Sequence, residues 1–117
     1  MLFAFTSKDK PDGLQLRIDT RPAHVAFLEK LNAEGTLKFA GPFLDDEGKP
    51  SGSLVVIEAA DRQAAAAILA QDPFAKAGLF AATEIRAWNW VFNKPQWGKR
   101  CNTGFSSPNP MPSRSRS

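Results

Sequence analysis

Strand-like and helix-like segments alternate along the first 92 residues, and this order constrains the fold more than any other feature of the sequence. Apolar, β-branched or aromatic runs predict strands, while longer runs between capping residues predict helices. In chain order, a strand, a helix, two strands, a helix and a strand are predicted at 2–6, 20–34, 37–43, 53–58, 61–71 and 83–92. The β-α-β-β-α-β order predicts an α+β, ferredoxin-like protein, with two helices on one face of a four-stranded antiparallel sheet.

Capping residues set the predicted helix boundaries. Thr20 is a good N-cap, with Pro22 in the first turn, where a missing N–H costs little. Residues 14–18 add at most an earlier, looser turn. Asp61 caps the second helix, which ends at Asp72 because a residue before proline avoids the helical region.

The last predicted strand carries a row of aromatic side chains. Period-two alternation places Trp88, Trp90 and Phe92 on one face, and we expect Phe3 or Phe5 of the first strand to join them. Such an apolar surface is too large to leave in water. We therefore expect a homodimer that associates through the open sheet faces, since two-fold self-association is the commonest solution for such a surface.

The net charge of +3 is unevenly divided along the chain. Five basic and no acidic residues lie at 94–117, which leaves 10 basic against 12 acidic residues in 1–93. Residues 1–93 therefore form the predicted domain, with no basic excess that would favour nucleic acid as a partner. The Pro- and Ser-rich segment 94–117 is predicted to be a disordered, basic tail.

Cysteine content and hydropathy bear on the compartment. The single cysteine, Cys101, cannot form a disulfide within the chain and fits a reducing compartment. The longest uncharged apolar run, 64–70, is far shorter than the roughly 20 residues that span a bilayer. We expect a cytoplasmic protein with no membrane partner.

Very few residues are available for chemistry. His24 is the only histidine, and neither a second histidine nor a nearby cysteine joins it at metal-ligand spacing. No glycine-rich phosphate loop is present. We expect neither a metal nor an organic cofactor.

One histidine and one aspartate remain as a candidate pair. His24 lies on the apolar stripe of the first helix, and the fold can bring Asp72, at the end of the second helix, close to it. A carboxylate beside an imidazole fixes its tautomer and prepares a general base. On the residues alone, a structural role is favoured for each, since a single buried histidine is more often a hydrogen-bonded core residue.

Four short motifs carry a resemblance to a known family. R-P-A-H-V-A-F-L, A-G-P, G-S and D-P-F stand in order at 21–28, 40–42, 52–53 and 72–74. Over residues 1 to about 93 the sequence resembles the YCII-related (YciI-like) family of the dimeric α+β barrel superfamily. The resemblance implies a subunit that dimerises through its sheet, and an active site at a His–Asp pair, which maps onto His24 and Asp72. Some relatives are similar to lyases that remove chloride from chlorinated ring intermediates.

With the resemblance added, our first hypothesis is a cofactor-free enzyme. His24 would act as general acid/base and Asp72 would orient it, in lyase or isomerase chemistry on a small, anionic or ring-containing ligand. Candidate substrate-binding residues are Arg21 for an anionic group, Ser53 as a hydrogen-bond donor, and Phe74 and Trp88 as pocket walls. The alternative is a dimeric domain that binds a small ligand without catalysis or serves only a structural role.

Overall fold

A computed structural model describes residues 1–95 and contains one sheet of four antiparallel strands in the order β2-β3-β1-β4. Its elements are β1 (Leu2–Asp9), α1 (Leu14–Ala33), β2 (Leu37–Leu44), β3 (Pro50–Glu58), α2 (Arg62–Leu69), α3 (Pro73–Lys76) and β4 (Phe80–Trp88). This arrangement confirms the predicted ferredoxin-like α+β fold. Within residues 1–95, no helix combines the length and hydropathy needed to cross a membrane.

The hydrophobic core lies between the sheet and the helices, on what we call the helix-covered face. Strand residues from β1 and β3 pack there against side chains from α1 and α2. The buried members include Phe3, Phe5, Val55, Ile57, Leu31 and Leu69. The prediction that Phe3 or Phe5 lies on the open face is therefore wrong. Alternate residues of β1 point to opposite faces, and Phe3 and Phe5 share the face of Ile57 and Val55, their cross-strand partners.

Helix α1 begins earlier than the capping residues indicate. Its N-cap is Gly13, so Thr20 lies within the helix and Pro22 lies inside it. Pro22 has no N–H to donate to the carbonyl of Ile18, one turn earlier in the helix. Both residues are exposed, so water can hydrogen-bond to that carbonyl instead. The early turns carry no apolar periodicity because their buried residue is the charged Arg17.

Strand β1 extends past the predicted end at Thr6. Ser7 and Asp9 continue the inward alternation of Phe3 and Phe5, and both are buried. Their polarity resembles that of a turn, and for this reason the sequence pattern ends the strand too soon. Asp9, the second of these polar positions, accepts a hydrogen bond from Arg17 of α1.

The predictions for β2 and its pairing with β3 are confirmed, whereas the predicted bounds of β4 are wrong. Gly41–Pro42 predicts an edge position for β2, and β2 is an edge strand. The prediction of an antiparallel β2–β3 pair is likewise confirmed. Strand β4 covers 80–88 and not 83–92, so Phe92 lies beyond it. The predicted tail, 94–117, falls almost entirely outside the described residues.

The face opposite the helices, which we call the open face, carries an aromatic cluster. We use that term for Phe39, Trp88 and Trp90, whose ring centroids lie 5.1–5.7 Å apart. Trp88 and Trp90 thus share a face, as predicted, although Phe39 of β2 and not a phenylalanine of β1 joins them. Trp88 remains 37% exposed.

Candidate active site

His24 and Asp72 form a buried pair on the helix-covered face. His24 Nδ1 lies 2.8 Å from Asp72 Oδ1, and the two residues are 8% and 2% exposed. A carboxylate oxygen can only accept a hydrogen bond, so Nδ1 donates the proton to it. His24 Nε2, which has no hydrogen-bond partner within residues 1–95, is then free to accept one.

The chain around Asp72 explains the orientation of its carboxylate. Asp72 is the N-cap of the short helix α3, and Pro73 occupies the first helical turn. Asp72 Oδ1 accepts the backbone N–H of Phe74 at 2.9 Å as well as the bond from His24. The D-P-F sequence thus fixes the carboxylate by local backbone geometry, and the fixed carboxylate orients the imidazole.

Phe74 holds the other side of the site. Its ring stacks on the imidazole of His24, with centroids 3.9 Å apart and an interplanar angle of 16°. The guanidinium carbon of Arg17 lies 4.6 Å over the same ring. Phe74 is completely buried, so its ring restricts the positions of both polar side chains.

Arg17 belongs to a second buried polar network. Its Nε donates to Asp9 Oδ2 at 2.6 Å, and its Nη2 donates to Asp9 Oδ1 at 3.1 Å and to Ser53 Oγ at 2.8 Å. All three residues are less than a tenth exposed. Because a buried carboxylate and guanidinium compensate each other here, Arg17 contributes directed N–H groups to the site with little net charge.

A pocket of about 430 Å³ opens between the first half of α1 and strands β2 and β3. This volume lies in the range of small-molecule sites. His24, Phe74 and Ser53 line it, together with the cationic side chains of Arg17, Arg21 and Lys49. No described aspartate or glutamate lines it, so its polar wall favours an anionic or electron-rich ligand.

The turn between β2 and β3 brings Lys49 to this pocket. Asp45 Oδ1 accepts the backbone N–H groups of Lys49 and Glu47, both at 2.9 Å. The hydrogen bond from Lys49, and then that from Glu47, holds the pKa of the Asp45 carboxyl below its usual value despite the opposing effect of desolvation. The ionised side chain therefore fastens the turn.

The structure gathers five of the six site residues that the sequence singles out. Arg21, His24, Ser53 and Phe74 line the pocket, and Asp72 lies directly behind His24. It does not bring Trp88 there. Trp88 lies on the open face, across the sheet from the pocket, because it pairs with Leu2 and not with an inward residue of β1. Within one chain, Trp88 therefore cannot be a wall of this pocket.

Three polar residues of the pocket region, Arg17, Asp9 and Lys49, were not predicted from the sequence. Arg17, His24 and Leu31 are spaced by seven residues, and this spacing marks one helix face once the helix is known to begin at Leu14. In the same way, Phe3, Phe5, Ser7 and Asp9 are spaced by two residues, which marks one face of β1 once the strand is known to continue to Asp9. Both signals were hidden because the inward positions are charged and not apolar.

The described residues offer no ready metal site. Within residues 1–95, no three His, Cys, Asp or Glu side chains gather where they could hold one ion. The polar groups of the pocket are instead hydrogen-bond donors and one imidazole acceptor, which suit oxygen atoms of an organic ligand.

Comparison with known proteins identifies the family. The sequence profile of the YCII-related domain matches residues 1–89. Protein YciI of Escherichia coli O6:H1 is 36% identical over an alignment of 98 positions, which covers 79% of this chain and 100% of that protein. The derivative of benzaldehyde biosynthesis cluster protein C of Emericella nidulans is 34% identical over 74 residues, covering 57% of this chain and 76% of that protein.

Among solved structures, 5-chloro-2-hydroxyhydroquinone dehydrochlorinase from Burkholderia phenoliruptrix AC1100, in complex with 2,5-dihydroxybenzoquinone, is similar in fold. It is 40% identical with a TM-score of 0.68, covering 76% of this chain and 94% of that one. The profile match spans all seven helices and strands. This chain belongs to the YCII-related domain family.

Proposed function

We propose that the protein is a small-molecule enzyme of the lyase or isomerase type, with His24 as its general acid/base. One observation carries the proposal: Nδ1 of His24 is bonded to the buried carboxylate of Asp72, while Nε2 has no partner in residues 1–95 and the ring lines the pocket. Fixing one ring nitrogen in this way leaves the other as the proton acceptor.

The proposed step is the removal of a proton from a carbon next to a carbonyl group. Nε2 takes the proton, and the electron pair of the broken C–H bond moves into the conjugated carbonyl system. Asp72 stabilises the resulting imidazolium by charge and hydrogen bonding. Return of the proton to another atom completes an isomerisation, whereas departure of a leaving group with its bonding electrons completes an elimination. Neither route needs a cofactor.

We propose a small ring compound with acidic oxygen substituents as the substrate class. Apolar side chains of α1 and of strands β2 and β3 give the pocket walls that suit a flat ring, including Ile18, Leu28 and Val55. Arg21, which has no ion-pair partner within residues 1–95, offers a cation for an anionic group. The similar dehydrochlorinase was solved with 2,5-dihydroxybenzoquinone, a ring of this kind. That likeness supports the ring class; the physiological compound would differ in its substituents.

We further propose that the working form is a cytoplasmic homodimer associated through the open face. The aromatic cluster there is only partly covered by its own chain, and Phe43 on the same face is 44% exposed. A second copy would bury this surface without reaching the pocket, which lies on the helix-covered face.

Chloride release from 5-chloro-2-hydroxyhydroquinone tests the proposed chemistry. The diketo tautomer of this compound has a C–H bond next to a carbonyl group, and removal of that proton expels chloride from the neighbouring carbon to give 2-hydroxybenzoquinone. Purified protein is incubated with 5-chloro-2-hydroxyhydroquinone, and wild type is compared with His24→Gln and with Lys30→Gln, an exposed change on the far part of α1. We expect wild-type turnover, a loss of 100-fold or more in His24→Gln, since general acid/base catalysis contributes about 10²–10⁴-fold, and no change in Lys30→Gln.

Two results would count against the proposal in different ways. Turnover that persists in His24→Gln would remove His24 from the chemistry. Saturable binding of the compound with no turnover in any variant would instead favour the alternative, a domain that binds a small ligand without catalysis.

A further inference from the structure

The buried Arg17–Asp9 pair is not needed for the acid/base step proposed above, although it lies in the same pocket wall. Two buried charges lose their hydration, and replacement of such a pair by apolar residues is often neutral or stabilising. Its presence so close to His24, on the same helix face, calls for a role beyond packing.

One nitrogen of Arg17 is left unused by the network. Nε and Nη2 make all the hydrogen bonds to Asp9 and Ser53, and Nη1 has no partner within residues 1–95. Ser7 Oγ is the only side-chain nitrogen or oxygen there that is both fully buried and unpartnered. Nη1 is therefore not sealed inside the protein, and Arg17 lines the pocket.

We infer that Arg17 is a second catalytic residue, whose Nη1 binds the substrate oxygen that gains negative charge when His24 removes a proton. This inference rests on the proposed function and names the substrate feature recognised: a ring carbonyl oxygen that becomes an enolate. Preorganised donors aimed at such an oxygen stabilise the transition state more than the ground state.

The charge balance around Arg17 fits this role. Asp9 compensates the guanidinium, so the site does not require a full anion before the reaction begins. Ser53 and Phe74 fix the plane of the group, so little reorganisation is needed as the charge grows. Arg21 and Lys49 differ, because neither makes a buried ion pair and each attracts an anion in the ground state as well.

The test compares two rings that differ in charge. 2,5-Dihydroxybenzoquinone carries acidic enol oxygens and mimics the enolate, whereas hydroquinone is a neutral ring of similar size. Their dissociation constants are measured by isothermal titration calorimetry. The variants are Asp9→Asn, which retains Arg17, and Asp9→Asn/Arg17→Met, which removes the guanidinium without leaving an unpaired buried carboxylate. Lys30→Gln serves as the control for loss of one positive charge.

We expect Lys30→Gln to bind 2,5-dihydroxybenzoquinone within twofold of wild type. Asp9→Asn should bind it more tightly than wild type, because the Arg17 guanidinium then carries an uncompensated positive charge. The double variant should bind it about 10- to 150-fold more weakly than Asp9→Asn, the usual range for one hydrogen bond to a charged group. Hydroquinone affinity should change by less than threefold, because the enolate charge is missing.

Equal weakening of both ligands in the double variant would overturn the inference, since it would show that Arg17 only shapes the pocket. Unchanged binding of 2,5-dihydroxybenzoquinone, or no binding to wild type, would overturn it as well. These outcomes are independent of the proposed acid/base role, because that role is judged by chloride release in His24→Gln.

Discussion

The two faces of the one sheet contrast in how far this chain completes them. On the helix-covered face, the buried polar side chains are paired within the chain: Arg17 with Asp9, and His24 with Asp72. On the open face, the aromatic cluster leaves Trp88 more than a third exposed. One subunit therefore pairs the polar groups around its pocket by itself, whereas the proposed second copy would be needed to cover the apolar surface on the other side of the sheet.

The largest expected effect is a loss of stability when the buried ion pair on the helix-covered face is broken. Asp9→Leu leaves the Arg17 guanidinium buried without a partner and should lower the free energy of unfolding by about 3–5 kcal/mol. Asp9→Leu/Arg17→Met should recover most of this loss, because no charge then remains buried. Urea denaturation measures both. A loss below about 1 kcal/mol in the single variant would mean that water reaches the pair.

The second effect is directed at the open face. Trp88→Glu places an unpaired charge in the proposed dimer interface and should raise the dimer dissociation constant by about 100-fold or more, with a small effect on the subunit's own stability. Ala26→Glu introduces the same charge on the exposed side of α1 and should leave association unchanged. Sedimentation velocity at micromolar concentration reads the outcome; a monomeric wild type would contradict the interface outright.

The third effect separates the two tasks of Asp72. Asp72→Ala removes both the α3 cap and the partner of His24, and should lower the free energy of unfolding by about 2 kcal/mol. Asp72→Asn retains a capping oxygen for the Phe74 N–H and should cost about 1 kcal/mol or less. Turnover should fall at least tenfold in both. Full activity in Asp72→Asn would show that the carboxylate charge is not used.

The smallest effect compares two serines that face each other across β1 and β3. Ser7 Oγ is buried without a partner in the described part of the chain, whereas Ser53 Oγ accepts from Arg17. Ser7→Ala should therefore raise the free energy of unfolding by up to about 1 kcal/mol, while Ser53→Ala should lower it by about 1.5 kcal/mol. Thermal unfolding of the two variants shows whether each is more or less stable than wild type. A change in the same direction for both would contradict the finding that Ser53 Oγ has a partner and Ser7 Oγ, within the described part of the chain, has none.

The fold could be predicted because its core follows simple periodicity. The β-branched run in β3 and the cap at Asp61 mark real elements, and helix α2 begins where that cap predicts. Errors arise where an inward position is polar: β1 was ended before Ser7, and α1 was started after Arg17. Arg17 lines the pocket and Asp9 holds it there, so the polarity that hides these parts of α1 and β1 from a hydrophobic pattern belongs to the candidate site.

The candidate site could be predicted only in part. His24 and Asp72 lie 48 residues apart, and their approach depends on α1 and α3 packing on the same side of the sheet. The position of Phe74 is easier to predict, because it lies two residues after Asp72 in the D-P-F motif. Its backbone N–H donates to the Asp72 carboxylate at the start of α3. Strand β4 ends before the predicted Phe92. The sequence pattern was compatible with Trp88 on the open face and with Trp88 as a pocket wall, and only the strand register, which pairs Trp88 with the outward residue Leu2, decides for the open face.

A crystal structure of this protein with 2,5-dihydroxybenzoquinone tests most directly the claim that the helix-covered face carries the chemistry. We predict that the ring lies in the pocket between α1 and strands β2 and β3, with ring atoms or oxygens about 2.6–3.2 Å from Nε2 of His24 and from Nη1 of Arg17. A ring seated instead on the open face against Trp88, with the pocket beside His24 unchanged, would contradict it.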